Sequence, residues 1–163
     1  MHDPGWAWDP ISGAGAALMG RRFNRKGQAA LYLSLKPETA LREVTGGFAR
    51  RLTPLTLVSY DIDCDDITDL RDAPARAAAD VAYEDLACAW ADDLARGRTP
   101  ASHAVVRRLI AAGAAGALVP SFAVGAGEDD VNLVLWRWGP ELPHRVRVFD
   151  PERRLPRDRR SWE

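Results

Sequence analysis

The strand-like segments of this chain are short and are not interleaved regularly with helices, which limits the fold more than any other feature. AALYLSL at 29–35 is an apolar run sized for a buried strand, and TLVSYDI at 56–62 is β-branched and alternating. ALVPSF at 117–122 reads as a strand running into a turn, while VNLVLWRW at 131–138 and RVRVFD at 145–150 read as strands. A helix is expected to start at Pro37, where a first turn tolerates proline and Glu38 complements the positive helix end, and to stop at Gly46 and Gly47. Ala40, Leu41, Val44 and Phe48 share one face of it, so that face is expected to meet the core, with Glu43 at its edge. Residues 75–96 form the longest helical candidate, with Leu86, Trp90 and Leu94 spaced by four, and a further helix covers 101–112 before Gly113 and Gly116. Residues 65–74 and GAGEDD at 125–130 read as loops, 1–20 as an irregular lead-in anchored by Trp6 and Trp8, and 152–163 as a charged tail. No linker or internal repeat divides the chain. The expectation is one α+β domain over residues 1–163, with a central mixed β-sheet flanked by helices.

Composition excludes several classes of function. Lys+Arg 22 against Asp+Glu 23 leaves a net charge of −1, which supplies no long-range attraction for nucleic acid or a membrane surface. Cys64 and Cys88 are isolated and His2, His103 and His144 are scattered, so no metal site is expected. Two lone cysteines suit a reducing compartment, and neither a leader-like N-terminus nor a membrane-length apolar run is present, so a cytoplasmic protein is expected. Walker A, GxSxG and kinase signatures are missing. GAGAALMG at 13–20 follows no strand and precedes no good helix, and so does not read as a dinucleotide loop. The adjacent pairs Asp92–Asp93 and Asp129–Asp130 read as solvated faces or loop tips.

One block, GRRFNRKGQAALYLSLKPETALREV from Gly20 to Val44, carries most of the remaining information. It contains Arg22-Phe23-Asn24 followed by Gly27, then Leu31-Tyr32-Leu33-Ser34, then Glu38-Thr39-Ala40 leading to Glu43. Val119-Pro120-Ser121 and a strand opening Asn132-Leu133-Val134 follow in order. Together these strongly resemble the RES-domain family, over roughly residues 8 to 155. Arg21 stands where the family usually carries a second Gly, and Arg22, which directly precedes Phe-Asn, is assigned the family's arginine. The resemblance implies a fold similar to ADP-ribosyltransferases and a toxin that consumes NAD⁺. It also implies a cognate antitoxin with an Xre-type DNA-binding domain.

NAD⁺ presents a diphosphate, a ribose and a cationic nicotinamide that departs neutral. The implied site therefore has to hold the diphosphate, orient the ring and stabilise an oxocarbenium-like ribose. Arg22 suits the first task, since a guanidinium fork pairs bidentately with phosphate oxygens. Tyr32 offers a flat face and a hydroxyl for the nicotinamide. Glu43 is the carboxylate for the ribose, and Ser121 is placed to hold the amide or a phosphate. Asn24, Ser34 and Asn132 are expected to support the same pocket. Without the resemblance each reads more plainly: Arg22 as a surface residue beside Arg21 and Arg25, Tyr32 as core, Glu43 as an exposed helix position, Ser121 as a turn former.

Water, inorganic phosphate or a protein side chain could each accept the ADP-ribose. WDPISGAG and FNRKG lie closest to the branch of the family associated with protein ADP-ribosylation, so a protein target is among the expected partners. A nucleic-acid-acting toxin or binding module using the Arg-rich stretch at 145–160 is the alternative from another class, although Asp150, Glu152 and Asp158 interrupt the basic run.

Overall fold

The computed structural model describes residues 1, 4–45 and 54–158, apart from the side chain of Trp6. Among them a 3-10 turn (Pro4–Trp6) and α1 (Ala14–Met19) precede β1 (Leu31–Ser34) and α2 (Pro37–Thr45). β2 (Ser59–Cys64), β3 (Ile67–Asp69), α3 (Ala73–Ala78), α4 (Tyr83–Ala87), α5 (Trp90–Ala95) and α6 (Ala101–Ala111) follow. The last strands are β4 (Gly116–Pro120), β5 (Val131–Leu135) and β6 (His144–Phe149). The result is an α+β domain with a central mixed sheet flanked by helices.

The central sheet has the order β1-β5-β4-β3, antiparallel except where β3 runs parallel to β4. Side chains alternate between its faces. One face carries Tyr32, Val134, Ala117 and Val119, which pack with Phe23 and with Leu86, Val105, Val106 and Leu109 from α4 and α6. The other carries Leu31, Leu133 and Leu135, which pack on Val146 and Tyr60 of a two-stranded β2–β6 ribbon. β5 is covered on both sides, which explains why its sequence is apolar almost without interruption. The ribbon is a separate sheet; the sequence reading had placed its strands in the central one.

Five expectations need correction. The segment 65–74 is not all loop, because Ile67–Asp69 gains a parallel partner in Gly116–Leu118, a pairing that local polarity does not reveal. The lead-in contains α1, which begins beside the left-handed Gly13. β2 starts three residues later than TLVSYDI suggests, because its partner β6 ends at Phe149, opposite Ser59. β5 stops at Leu135, three residues short of the end of VNLVLWRW, where its pairing with Gly116 and Leu31 runs out. The long candidate at 75–96 is three short helices. Asp72 caps the first through Ala75 N–H, Asp80 breaks it with φ 52, and the extended backbone of Cys88 ends the second. Leu86 is fully buried, but Leu94 is exposed.

Helix α2 also departs from its apolar stripe. Leu41 and Val44 are 43% and 45% exposed, and the residue α2 buries is Thr39. Phe48, Gly46 and Gly47 lie outside the described residues. The helix is held by polar contacts, described below. Among the described residues no helix is long and apolar enough to cross a membrane.

Close packing of β4 on β5 gives a direct test of the register. A Cβ on Gly116 would meet the Val134 carbonyl oxygen at 2.5 Å and Leu135 Cδ2 at 2.7 Å. Gly116→Ala should therefore lower stability by about 1–3 kcal/mol in urea unfolding. Gly15→Ala, in α1 with open space around it, should be neutral or stabilising by up to about 1 kcal/mol.

Candidate functional site

A cavity of about 640 Å³ opens beside β1, within the range that accommodates a cofactor-sized ligand. Arg22, Tyr32, Glu43 and Asn132 line it, together with Arg21 and residues of the lead-in. Ser34 and Ser121 stand behind that wall, and Asn24 is fully buried away from it. The sequence thus brought six of its seven candidates to one place, in two layers.

Register explains the convergence. Leu35 N–H bonds Val131 O at 3.0 Å, which makes Ser34 and Asn132 a non-hydrogen-bonded pair across β1 and β5, with their side chains close together. Ser34 Oγ donates to Asn132 Oδ1 at 2.7 Å, which turns the Asn132 amide so that Nδ2 donates to Glu43 Oε1 at 2.5 Å. Ser121 Oγ donates to the same oxygen at 2.6 Å and accepts from Ala123 N–H at 3.2 Å. Glu43 Oε2 takes no hydrogen bond from a described residue. One carboxylate oxygen is therefore locked by two donors, and the other remains available to a ligand. Ser121, expected to touch the substrate, spends its proton on Glu43.

Arg22 is presented by a turn whose backbone is almost entirely held. Arg21 N–H bonds Asn24 O at 2.9 Å, Ser102 Oγ donates to Arg22 O at 2.6 Å, and Trp136 Nε1 donates to Phe23 O at 2.8 Å. Phe23 N–H donates to the Tyr32 hydroxyl at 3.0 Å, which in turn donates to Asn24 Oδ1 at 2.9 Å. Asn24 Nδ2 spends its protons on the carbonyls of Ala16, Arg25 and Gln28. Asn24 therefore ties the turn together. The Tyr32 hydroxyl is likewise engaged, leaving the ring as the part the cavity can use. Burial pushes the Tyr32 phenol well above its usual range.

The break between α4 and α5 supplies the seat for Arg22. Carbonyls at the end of a helix lack partners within it, and Arg22 Nη1 donates to Leu86 O at 3.0 Å and to Cys88 O at 2.7 Å. The guanidinium carbon lies 4.6 Å from the Phe122 ring centroid, and Phe122 leans on Phe23 and Tyr83. Burial lowers the Arg22 pKa, while Cys88 and then Glu43 oppose that shift, and the group stays charged. Arg21 is exposed, with His103 Nε2 at 2.8 Å from its carbonyl oxygen. Arg22 is the arginine that the fold fixes.

Sequence reasoning missed Phe122, Trp90 on the cavity wall, and a cluster around Asp130. The pair Asp129–Asp130 was expected to be solvated; Asp129 is, but the Asp130 side chain is only 10% exposed. Thr39 Oγ1 donates a short bond to Asp130 Oδ1, Arg42 Nη1 reaches both oxygens at 2.8 Å, and Gly127 N–H donates to Oδ2 at 2.8 Å. Thr39 lies in the motif already singled out, but an acid at a loop's end gives no sign of whether it turns inward. The alternative reading of the C-terminal basic stretch loses ground here, since Arg145 pairs with Asp63 at 2.9 Å and Arg154 pairs with Glu152.

The Thr39 hydroxyl, then the Gly127 amide, hold the Asp130 carboxyl below the usual range, with Arg42 and Lys36 adding attraction. A depressed folded-state pKa contributes stability above the unfolded value of about 3.9 and loses it as pH falls through the folded one. The stability gap between wild type and Asp130→Asn should be constant from about pH 7 to pH 5 and narrow below about pH 4. Denaturant midpoints across that range measure it. Tyr32→Phe, which strands the Phe23 N–H and the Asn24 oxygen, should cost about 1–3 kcal/mol by the same method.

No curated protein and no solved structure matches the chain. A family model described as RES domain matches residues 1–158. With nearly all of its 163 residues inside that match, the chain belongs to the RES-domain family, which is generally associated with toxin-like, NAD⁺-acting enzymes.

Proposed function

We propose that this chain is the toxin of a toxin–antitoxin pair and cleaves the nicotinamide–ribose bond of NAD⁺. The observation that carries the reading is a single cavity lined by an immobilised guanidinium and by a carboxylate with one oxygen locked and one free. Arg22, with Nη1 committed to Leu86 and Cys88, retains Nε and Nη2 for diphosphate oxygens. The Tyr32 ring is the apolar surface on which the nicotinamide packs. Glu43 Oε2 accepts from a ribose hydroxyl and stabilises the positive charge that develops there as the bond stretches. Because Oε1 is already fixed, little reorganisation accompanies that step.

Balanced in atoms, the bond between the nicotinamide nitrogen and ribose C1″ breaks and its electron pair stays on the nitrogen, so nicotinamide leaves neutral. An acceptor oxygen or nitrogen then bonds to C1″ and gives up its proton. Water yields ADP-ribose, phosphate yields ADP-ribose 1″-phosphate, and a side chain yields a modified protein. The partner implied by this reading is an antitoxin with an Xre-type DNA-binding domain.

Purified protein incubated with NAD⁺, phosphate and cell lysate should release nicotinamide, with mass spectrometry of the products naming the acceptor. Glu43→Gln should lower that release by about 10²-fold or more. Arg22→Lys, which loses the fork and its two carbonyl anchors, should raise KM for NAD⁺ about 10-fold or more. Intact NAD⁺ in every arm would refute the reading.

A further inference from the structure

Resting on the assignment of Glu43 as the ribose carboxylate, we infer that Asp130 is the positioning residue that sets where that carboxylate sits. Three segments have to meet for Glu43 to be locked: α2, which carries it, the start of β5, which carries Asn132, and the turn just after β4, which carries Ser121. Asp130 bonds to the first and the third and leads directly into the second. Its carboxylate takes Thr39 and Arg42 from successive turns of α2, and Arg42 is the residue next to Glu43. Its own carbonyl oxygen accepts Ser121 N–H at 2.7 Å, which keeps the Ser121 hydroxyl facing Glu43. Two residues further on, Asn132 points from the same face of β5.

Among the described residues nothing apolar substitutes for this clamp. Leu41 and Val44, the large apolar side chains of α2, are exposed, and Thr39 is the residue the helix buries. With its carboxylate removed, the Thr39 hydroxyl and the Arg42 guanidinium lose the partner they share. α2 is then free to shift by a fraction of its diameter, and Glu43 shifts with it. Asp130 does not line the cavity, so its influence runs through Glu43 and not through contact with NAD⁺. Misplacement of a reacting group by about 1 Å can lower a rate about 10²-fold, which places the expected effect in kcat with binding spared.

The test compares wild type, Glu43→Gln, Asp130→Asn and the double variant. Asp130→Asn should lower kcat for nicotinamide release about 10- to 100-fold, with KM for NAD⁺ within about twofold. Within the Glu43→Gln background the same change should cost nothing further, because a residue acting through Glu43 has nothing left to act on. Thr39→Val and Arg42→Lys approach the clamp from its other end and should give the same split to a smaller degree if Asp130→Asn fails to fold. A readout without NAD⁺ is the carboxyl ¹³C resonance of Glu43, which should move toward that of a free glutamate in Asp130→Asn. An unmoved resonance, an unchanged kcat, or an equal loss in both backgrounds would overturn the inference. Active Glu43→Gln protein would instead overturn the assignment of Glu43, and the inference with it.

Discussion

Asn132 faces Ser34 across β1 on one side, and its backbone pairs with Val119 of β4 on the other. That double antiparallel pairing is what the site depends on, because side chains in a strand change face with every residue. A slip of one position would carry Ser34, Asn132 and Ser121 to the face packed on the β2–β6 ribbon, and Glu43 would lose both of its donors. The register is held by matter with no part in the chemistry. Leu31, Leu133 and Leu135 fill the ribbon side, Val134, Ala117 and Val119 fill the helix side, and Gly116 lets β4 approach β5 more closely than a Cβ would permit. Burial of such side chains, at roughly 1.5–3 kcal/mol each, outweighs the cost of aligning polar groups along the sheet's edge.

The arginine side of the site follows a different logic. Buried backbone groups need partners, and the turn at 21–24 meets that need by borrowing side chains from β1, α6 and Trp136, just past β5. The short helices α4 and α5 are the complementary feature: an uninterrupted helix would have satisfied the Leu86 carbonyl internally. Two local departures from regular structure thereby combine to fix one guanidinium, whose exposed edge then needs no rearrangement to meet an anion.

Much of this was legible in the residues. β1, α6 and β6 were found close to their observed bounds, and α2 and β5 at their observed starts, since each has clean periodicity or a clear start signal. Arg22, Tyr32 and Glu43, which line one cavity, were singled out through motif order, which no single residue could have supplied. What stayed hidden was whatever depends on distant partners. Ile67–Asp69 is a strand only because Gly116–Leu118 lies beside it, and 75–96 breaks at Asp80 and Cys88, neither of which is a glycine or a proline. The Leu41–Val44 stripe looked like a core face, yet α2 docks through Thr39 and Arg42 on an aspartate that looked like a loop tip. The Tyr32 and Ser121 hydroxyls were read as ligand groups, but their hydrogen bonds go to the protein itself. Residue type alone cannot say which of two available partners a hydroxyl will take.

The central claim is that a fixed Arg22 and the free oxygen of Glu43 hold NAD⁺ across the bond to be broken. A crystal structure of the Glu43→Gln variant soaked with NAD⁺ examines it most directly. The account predicts the diphosphate on the Arg22 guanidinium, the nicotinamide ring against Tyr32, and the ribose within hydrogen-bond distance of residue 43. NAD⁺ bound with its ribose away from residue 43, or with its diphosphate on Arg21 and Arg22 left vacant, would contradict it.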